Sequence, residues 1–333
     1  MSTSIRHSSP QRVQSGLGLI ELMIAMLIGL LVSAAAIGIF QSNKRAFAAT
    51  QGLGRIQESS QAAFEMMARD IREAGGSPCD AEMTAGNIIT NASTATPTSS
   101  NWFVSSARPL HGFEGSGLTG QVATTDAIQV LRLDQDVRTL TTDMAAGATS
   151  VTYTPGAPQF AANDVIMVCY MRVLGIFRAS AASSVSGANG TVSFGTSVNA
   201  CSYFPQPNAG VCVAGTSYLF PRFSTVSRMQ GVRWYVCDPD GVAANGYSLC
   251  RRVNDGAQEE VVPGVQDMQV QYLGNAGYVD ASSLTAAADW NAIRAVRIAL
   301  TMREADATSA GSTTGQPLVR TVNHVVNLRN RTL

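Results

Sequence analysis

The sequence is poor in the residues from which active sites and nucleic-acid surfaces are built. Only 14% of its 333 residues are charged, the 23 Lys and Arg equal the 23 Asp and Glu, and the histidines are His7, His111 and His324. Balanced charge leaves no basic footprint, so no direct nucleic-acid partner is expected. Cys-x-x-Cys and His-Glu-x-x-His spacings are missing, as are a Gly-x-Ser-x-Gly nucleophile turn and a phosphate loop. The absences remove zinc cages, metallohydrolase helices, acyl-transfer serines and nucleotide cradles from consideration. No catalytic residue, metal ligand or cofactor is assigned, and the chain is read as catalysing nothing. Asp238-Pro239-Asp240-Gly241 with Asn245 is oxygen-rich, yet Pro239 and the lack of an acid at the twelfth position depart from a calcium loop. It is read as a turn.

What is present in quantity is apolar sequence: 45% of the chain, enough for one large domain with a sizeable core. Much of it lies in one run, Leu17 to Phe40, whose single charge is Glu21. At about 1.5 Å per helical residue the run spans about 36 Å, sufficient for a bilayer core. A carboxylate inside such a span costs roughly 2.5–3.5 kcal/mol on insertion scales. Glu21 therefore needs a partner and is a functional candidate.

The run is preceded by a mostly polar leader of sixteen residues carrying Arg6 and Arg12 and ending in Gly16. A short basic leader ending in Gly, followed by an apolar helix with Glu as its fifth residue, resembles the class III signal of type IV prepilins. Leu17 and Gly18 stand where such signals usually have Phe and often Thr. The resemblance implies cleavage between Gly16 and Leu17 by an inner-membrane prepilin peptidase and N-methylation of Leu17. Without the leader the chain has 21 bases (23 less Arg6 and Arg12) against 23 acids, a net charge of about −2. An ordinary secretory signal is the competing reading, because Ser33-Ala34-Ala35-Ala36 offers small residues after an apolar region. Cleavage there would release a soluble protein, but such signals rarely hold an acid and the helical pattern continues past Ala36.

Beyond Phe40 the pattern becomes amphipathic, with Phe47, Ile56, Ala63, Phe64, Met67 and Ile71 at helical spacing. It predicts one continuous helix to Ala74, stopped by Gly75-Gly76 and Pro78 and about 87 Å long from Leu17. Gly52 and Gly54 are its weak points. Residues 75–120 read as a long surface connection, with Trp102, Phe103 and Phe113 able to pin it to the core. The remainder reads as strands: 127–133, 150–154, a pair or one bent strand over 164–177 around Gly175, and 191–194. Segment 178–223 reads as an excursion. Strands at 231–237 and 247–253 then flank the strong turn signals Asp-Pro-Asp-Gly and Asn-Gly, and 265–273, 293–302 and 318–328 alternate. Arg251-Arg252 reads as a solvated strand end.

Six cysteines, Cys79, Cys169, Cys201, Cys212, Cys237 and Cys250, all lie beyond the apolar run. With an export signal they indicate an oxidising compartment and up to three disulfides in fifteen possible pairings. Closeness in sequence favours Cys201 with Cys212 and Cys237 with Cys250, leaving Cys79 for Cys169. Basic residues on both sides of the run, Arg6 and Arg12 against Lys44 and Arg45, leave orientation to the cysteines, which place the larger part outside the cytoplasm.

The latter half strengthens the family resemblance. A WYVC strand, an LCRRV strand, Glu259-Glu260 before VVPGVQDMQVQYL, Trp290 before IRAVRIALTMR and a closing NLRNRTL resemble PilW-family minor pilins. J-type pseudopilins of type II secretion share the long helix and β-rich head less specifically. The resemblance implies an α+β pilin-like fold: leader 1–16, transmembrane half-helix 17–40, amphipathic half-helix 41–74 and β-rich head 75–333. It further implies a minor pilin held in the bacterial inner membrane with its head in the periplasm, then drawn into the pilus. There it would prime assembly with other minor pilins, the major pilin and the inner-membrane assembly machinery. Its place would be at or near the tip, where it could support a tip adhesin. A type II secretion pseudopilin is the rival of the same type. A soluble periplasmic binding protein and a membrane-tethered enzyme are rivals of other classes.

Overall fold

The computed structural model describes residues 18–76, 84–105, 109–206, 212, 217–304 and 317–329. One helix, α1 (Leu19–Arg72), runs for 54 residues, about 81 Å, without interruption at Gly52 or Gly54. Glu73 caps it, donating its N–H to the Arg69 carbonyl, and Gly75 at φ 69° turns the chain so that its N–H reaches the Leu131 carbonyl at 2.9 Å.

The head is β-rich. Its strands are β1 (Thr84–Asn87), β2 (Leu110–Phe113), β3 (Ala127–Thr139), β4 (Ser150–Tyr153), β5 (Val165–Tyr170) and β6 (Val173–Arg178). There follow β7 (Ser184–Ser186), β8 (Asn189–Ser193), β9 (Phe204–Pro205), β10 (Ser217–Tyr218), β11 (Thr225–Cys237) and β12 (Ser248–Val253). The last are β13 (Glu259–Pro263), β14 (Val265–Gly274), β15 (Gly277–Asp280), β16 (Ala295–Arg303) and β17 (Val319–Asn327). Strand β11 organises the largest sheet: β3 pairs along most of one side, while β5 and β12 share the other. A second, antiparallel sheet has the order β15-β14-β16-β17, and the buried stripe of α1 closes a core between the two sheets.

Asp126 stitches the sheets together. Its N–H donates to the Met268 carbonyl (2.7 Å) and its carboxylate accepts the Val270 N–H (2.8 Å), completing part of the β14 edge that β15 leaves open. Burial pushes this carboxyl up to about 6 from 3.8, with Glu114 and Asp267 pushing the same way. A folded pKa above the unfolded one means that the stabilising contribution is complete below about pH 3.8 and lost as pH rises through about 6. Asp126→Asn keeps an acceptor for Val270 and removes the charge. Its melting temperature is expected to exceed that of the unaltered chain at pH 7.5 and to match it at pH 3.5; equal melting at both would refute the assignment.

Two stretches read as peripheral are structural. In 84–105, Ile88, Trp102 and Val104 are buried, and the Asn87 side chain donates to the Val104 carbonyl. Within 178–223, Phe194, Phe204 and Phe220 join Phe177 in an aromatic core with neighbouring centroids 5.0–5.8 Å apart. Gly175 is no bend: the chain turns at Met171 and Arg172, and Gly175 sits mid-strand beneath the Phe204 and Phe220 rings. Gly231, in the middle of β11, is crowded in the same manner, since an added Cβ would stand 2.5 Å from Phe103 Cβ and 2.7 Å from Trp102. Gly231→Ala should cost about 1–3 kcal/mol by overpacking, read from chemical unfolding of the full chain.

Candidate assembly surface

From Gly18 to Phe47 every residue of the helical arm is exposed. The apolar part is long enough to cross a membrane, and none of its most apolar window is buried within the protein. Ser33 returns its hydroxyl to the Gly29 carbonyl at 2.8 Å, so the apolar part up to Phe40 has Glu21 as its one polar side chain not bonded back to the helix. Glu21 lies in the first turn, exposed, where its N–H donates to the Gly18 carbonyl. An acid at a helix N-terminus is favoured by the helix dipole. Gly29 and Gly38 have nothing within 4 Å of an added Cβ, leaving flat spots against which another helix can approach. Gly16 and Leu17 lie outside the described residues.

The arm is held to the head at three levels. First, Gly52 is buried because the Glu304 carboxylate occupies the place of its missing side chain, with Arg55 3.8 Å from Glu304. Phe47, expected on the buried stripe, is 66% exposed: the first residue of the helix that the head buries is Gly52, five positions later. Midway, Phe64 stacks on His324 of β17, ring centroids 4.6 Å apart.

Finally, Asp70 is buried among Arg132 of β3 (3.0 Å), Arg251 of β12 (3.4 Å) and the Trp234 indole N–H of β11 (3.0 Å). Arg251 is thus no solvated strand end; it faces Asp70 and lies 5.6 Å from the centroid of the Trp234 ring. Burial raises the Asp70 carboxyl above its usual range even though Arg132 and Arg251 pull it down, so desolvation outweighs attraction. The cluster acts as a geometric latch. Sequence periodicity gave no partner for Asp70, but an acid three residues beyond Met67 on the apolar stripe was a visible signal.

Cys201 and Cys212 form a disulfide with Cα atoms 5.5 Å apart, and Cys237 and Cys250 a second at 5.8 Å across β11 and β12. Cys169 is disulfide-bonded; its expected partner, Cys79, lies outside the described residues. At the Asp238–Asn245 turn both Asp240 oxygens are used, by the Val242 N–H and the Asn245 amide.

Residues 242–331 match the family model Type IV Pilus-assembly protein W, and residues 11–37 match the prokaryotic N-terminal methylation motif. The two matches support the reading of the chain as a PilW-like type IV minor pilin. No curated protein and no solved structure matches it significantly. The two matched segments each contain part of the candidate assembly surface. The methylation motif covers Gly16, Leu17 and Glu21 and runs into the part of α1 that is long and apolar enough to cross a membrane. The pilus-assembly segment contains Arg251, Glu304 and His324, three of the head residues that grip the same helix, while Arg132 and Trp234 precede it. The α+β pilin-like architecture expected from the sequence is the one observed.

Proposed function

We propose that this pilin is made as a prepilin, cut after Gly16, methylated on Leu17 and held by its helix in the inner membrane with the head in the periplasm. It then enters the filament, where Glu21 meets the Leu17 amine of a neighbouring subunit. With other minor pilins it primes assembly of the major pilin and stays at or near the tip, beneath a tip adhesin. The observation that carries this reading is the combination in α1 of an unburied apolar half bearing one acid and a second half latched to the head. Filaments sheared from cells and purified through this subunit should contain other minor pilins and far more major pilin than subunit. Absence from filaments, or a copy number matching the major pilin, would overturn the tip assignment.

A further inference from the structure

Strand β17 is the outermost strand of the second sheet, and among the described residues nothing pairs with its far side. At its two ends Glu304 donates to the Leu318 carbonyl (3.1 Å) and Leu328 to the Arg294 carbonyl (2.9 Å), so the even-numbered residues between them turn their backbone groups to β16. Val319, Thr321, Asn323, Val325 and Asn327 turn theirs outward, and all five are exposed. Nature keeps an edge from pairing by making it short, charged or interrupted by proline. The strands that end the sheets elsewhere, β1, β2, β4, β7, β9, β10, β13 and β15, are two to five residues long, and β13 carries Glu259, Glu260 and Pro263. The part of β3 that β2 leaves open carries Asp134 and Asp136. Strand β17 has none of these devices: nine residues in unbroken register with β16, without proline, lysine or acid, and with Val319 and Val325 55% and 50% exposed.

A groove of about 730 Å³ follows the same edge, lined by Gln57, Gln61 and Phe64 of α1 and by Arg320, Val322 and His324 of β17. An open ladder supplies main-chain hydrogen bonds and a groove beside it takes every second side chain, the two requirements of strand addition. We propose that β17 receives an extended segment of a different polypeptide, antiparallel to it, whose backbone bonds to Thr321, Asn323 and Val325 and whose alternate side chains enter the groove. The direction of β17 excludes its own copy from that ladder. The helix meets the start of the strand through Gly52 and Glu304, which is bonded to Leu318, and its middle through Phe64 and His324. Twelve helical residues span about 18 Å and six strand residues about 20 Å, so β17 runs along α1 in the same sense. Two β17 strands paired antiparallel would point their helices in opposite directions, which two copies anchored in one membrane cannot do. That exclusion rests on the pilin reading, whereas the open edge and the groove do not.

The test places photoreactive benzoylphenylalanine at Thr321 or at Val325 of the full-length chain in cells, with and without Asn323→Pro, which removes one outward N–H and spares the bonds to β16. The expected result is a single different protein linked from both positions, at sites about four residues apart and in reverse order, as an antiparallel strand requires. Asn323→Pro should lower the yield about tenfold through the lost hydrogen bond, with the melting temperature of the purified chain unchanged. Should the variant melt lower, the order of the two links alone decides. Links to a second copy, within the chain, to lipid or to nothing, links to unrelated segments, or a yield unaffected by the proline in a stably folded variant, would overturn the proposal. Loss of the chain from sheared filaments with both links retained would count against the filament reading and leave strand addition standing.

Discussion

Glu21→Ala is expected to remove the protein from filaments while leaving its head as stable as before. The residue lies more than forty positions from Asp70 in the exposed arm, so no contact of the head core depends on it. Membrane insertion should improve, because the substitution relieves roughly 2.5–3.5 kcal/mol of carboxylate burial. A loss of incorporation could then be assigned to assembly. An ion pair at 4 Å is worth about 4 kcal/mol at an effective dielectric of about 20, so incorporation beside other pilins should drop at least tenfold. The competing account is a pair within one chain, since positions 17 and 21 are one helical turn apart. An unchanged level of the variant in sheared filaments would favour that account and end the register role.

The second large effect belongs to the other end of the helix. Asp70→Ala would leave Arg132, Arg251 and the Trp234 indole facing an emptied, buried position. Removing one member of such a buried cluster costs about 3–5 kcal/mol, even though the ionised carboxyl is itself poorly solvated there. Unfolding of the solubilised full chain should shift accordingly. The Arg251 guanidinium should also leave the Trp234 ring, which tryptophan fluorescence can follow. A loss below about 1 kcal/mol would mean that the helix is held by its apolar stripe alone.

The parts of this molecule that were legible in the sequence are those encoded by local repetition. The apolar run and the 3.6-residue stripe through Ile56, Ala63, Met67 and Ile71 marked the helix, and period-two alternation marked β14, β16 and β17. The hairpin of β11 and β12 followed from its turn residues. What was hidden depends on pairs far apart in the chain. Asp70 meets Arg132, Trp234 and Arg251, and Gly52 meets Glu304, none of which any local window contains. The aromatic core was missed because three of its members, Phe194, Phe204 and Phe220, fall in a stretch rich in Ser, Ala, Gly and Pro, where no periodicity announced that they join Phe177. Phe47 was misplaced for the opposite reason: it continues the pattern of the helix, but the head does not reach that far.

The most direct measurement is the N-terminus of the mature protein isolated from the cell envelope, by intact mass and terminal sequencing. The account predicts a chain beginning at Leu17 and carrying one methyl group on its amine. A chain beginning at Ile37, released by an ordinary signal peptidase, would contradict it, because Glu21 and the membrane half of α1 would then be absent from the working protein.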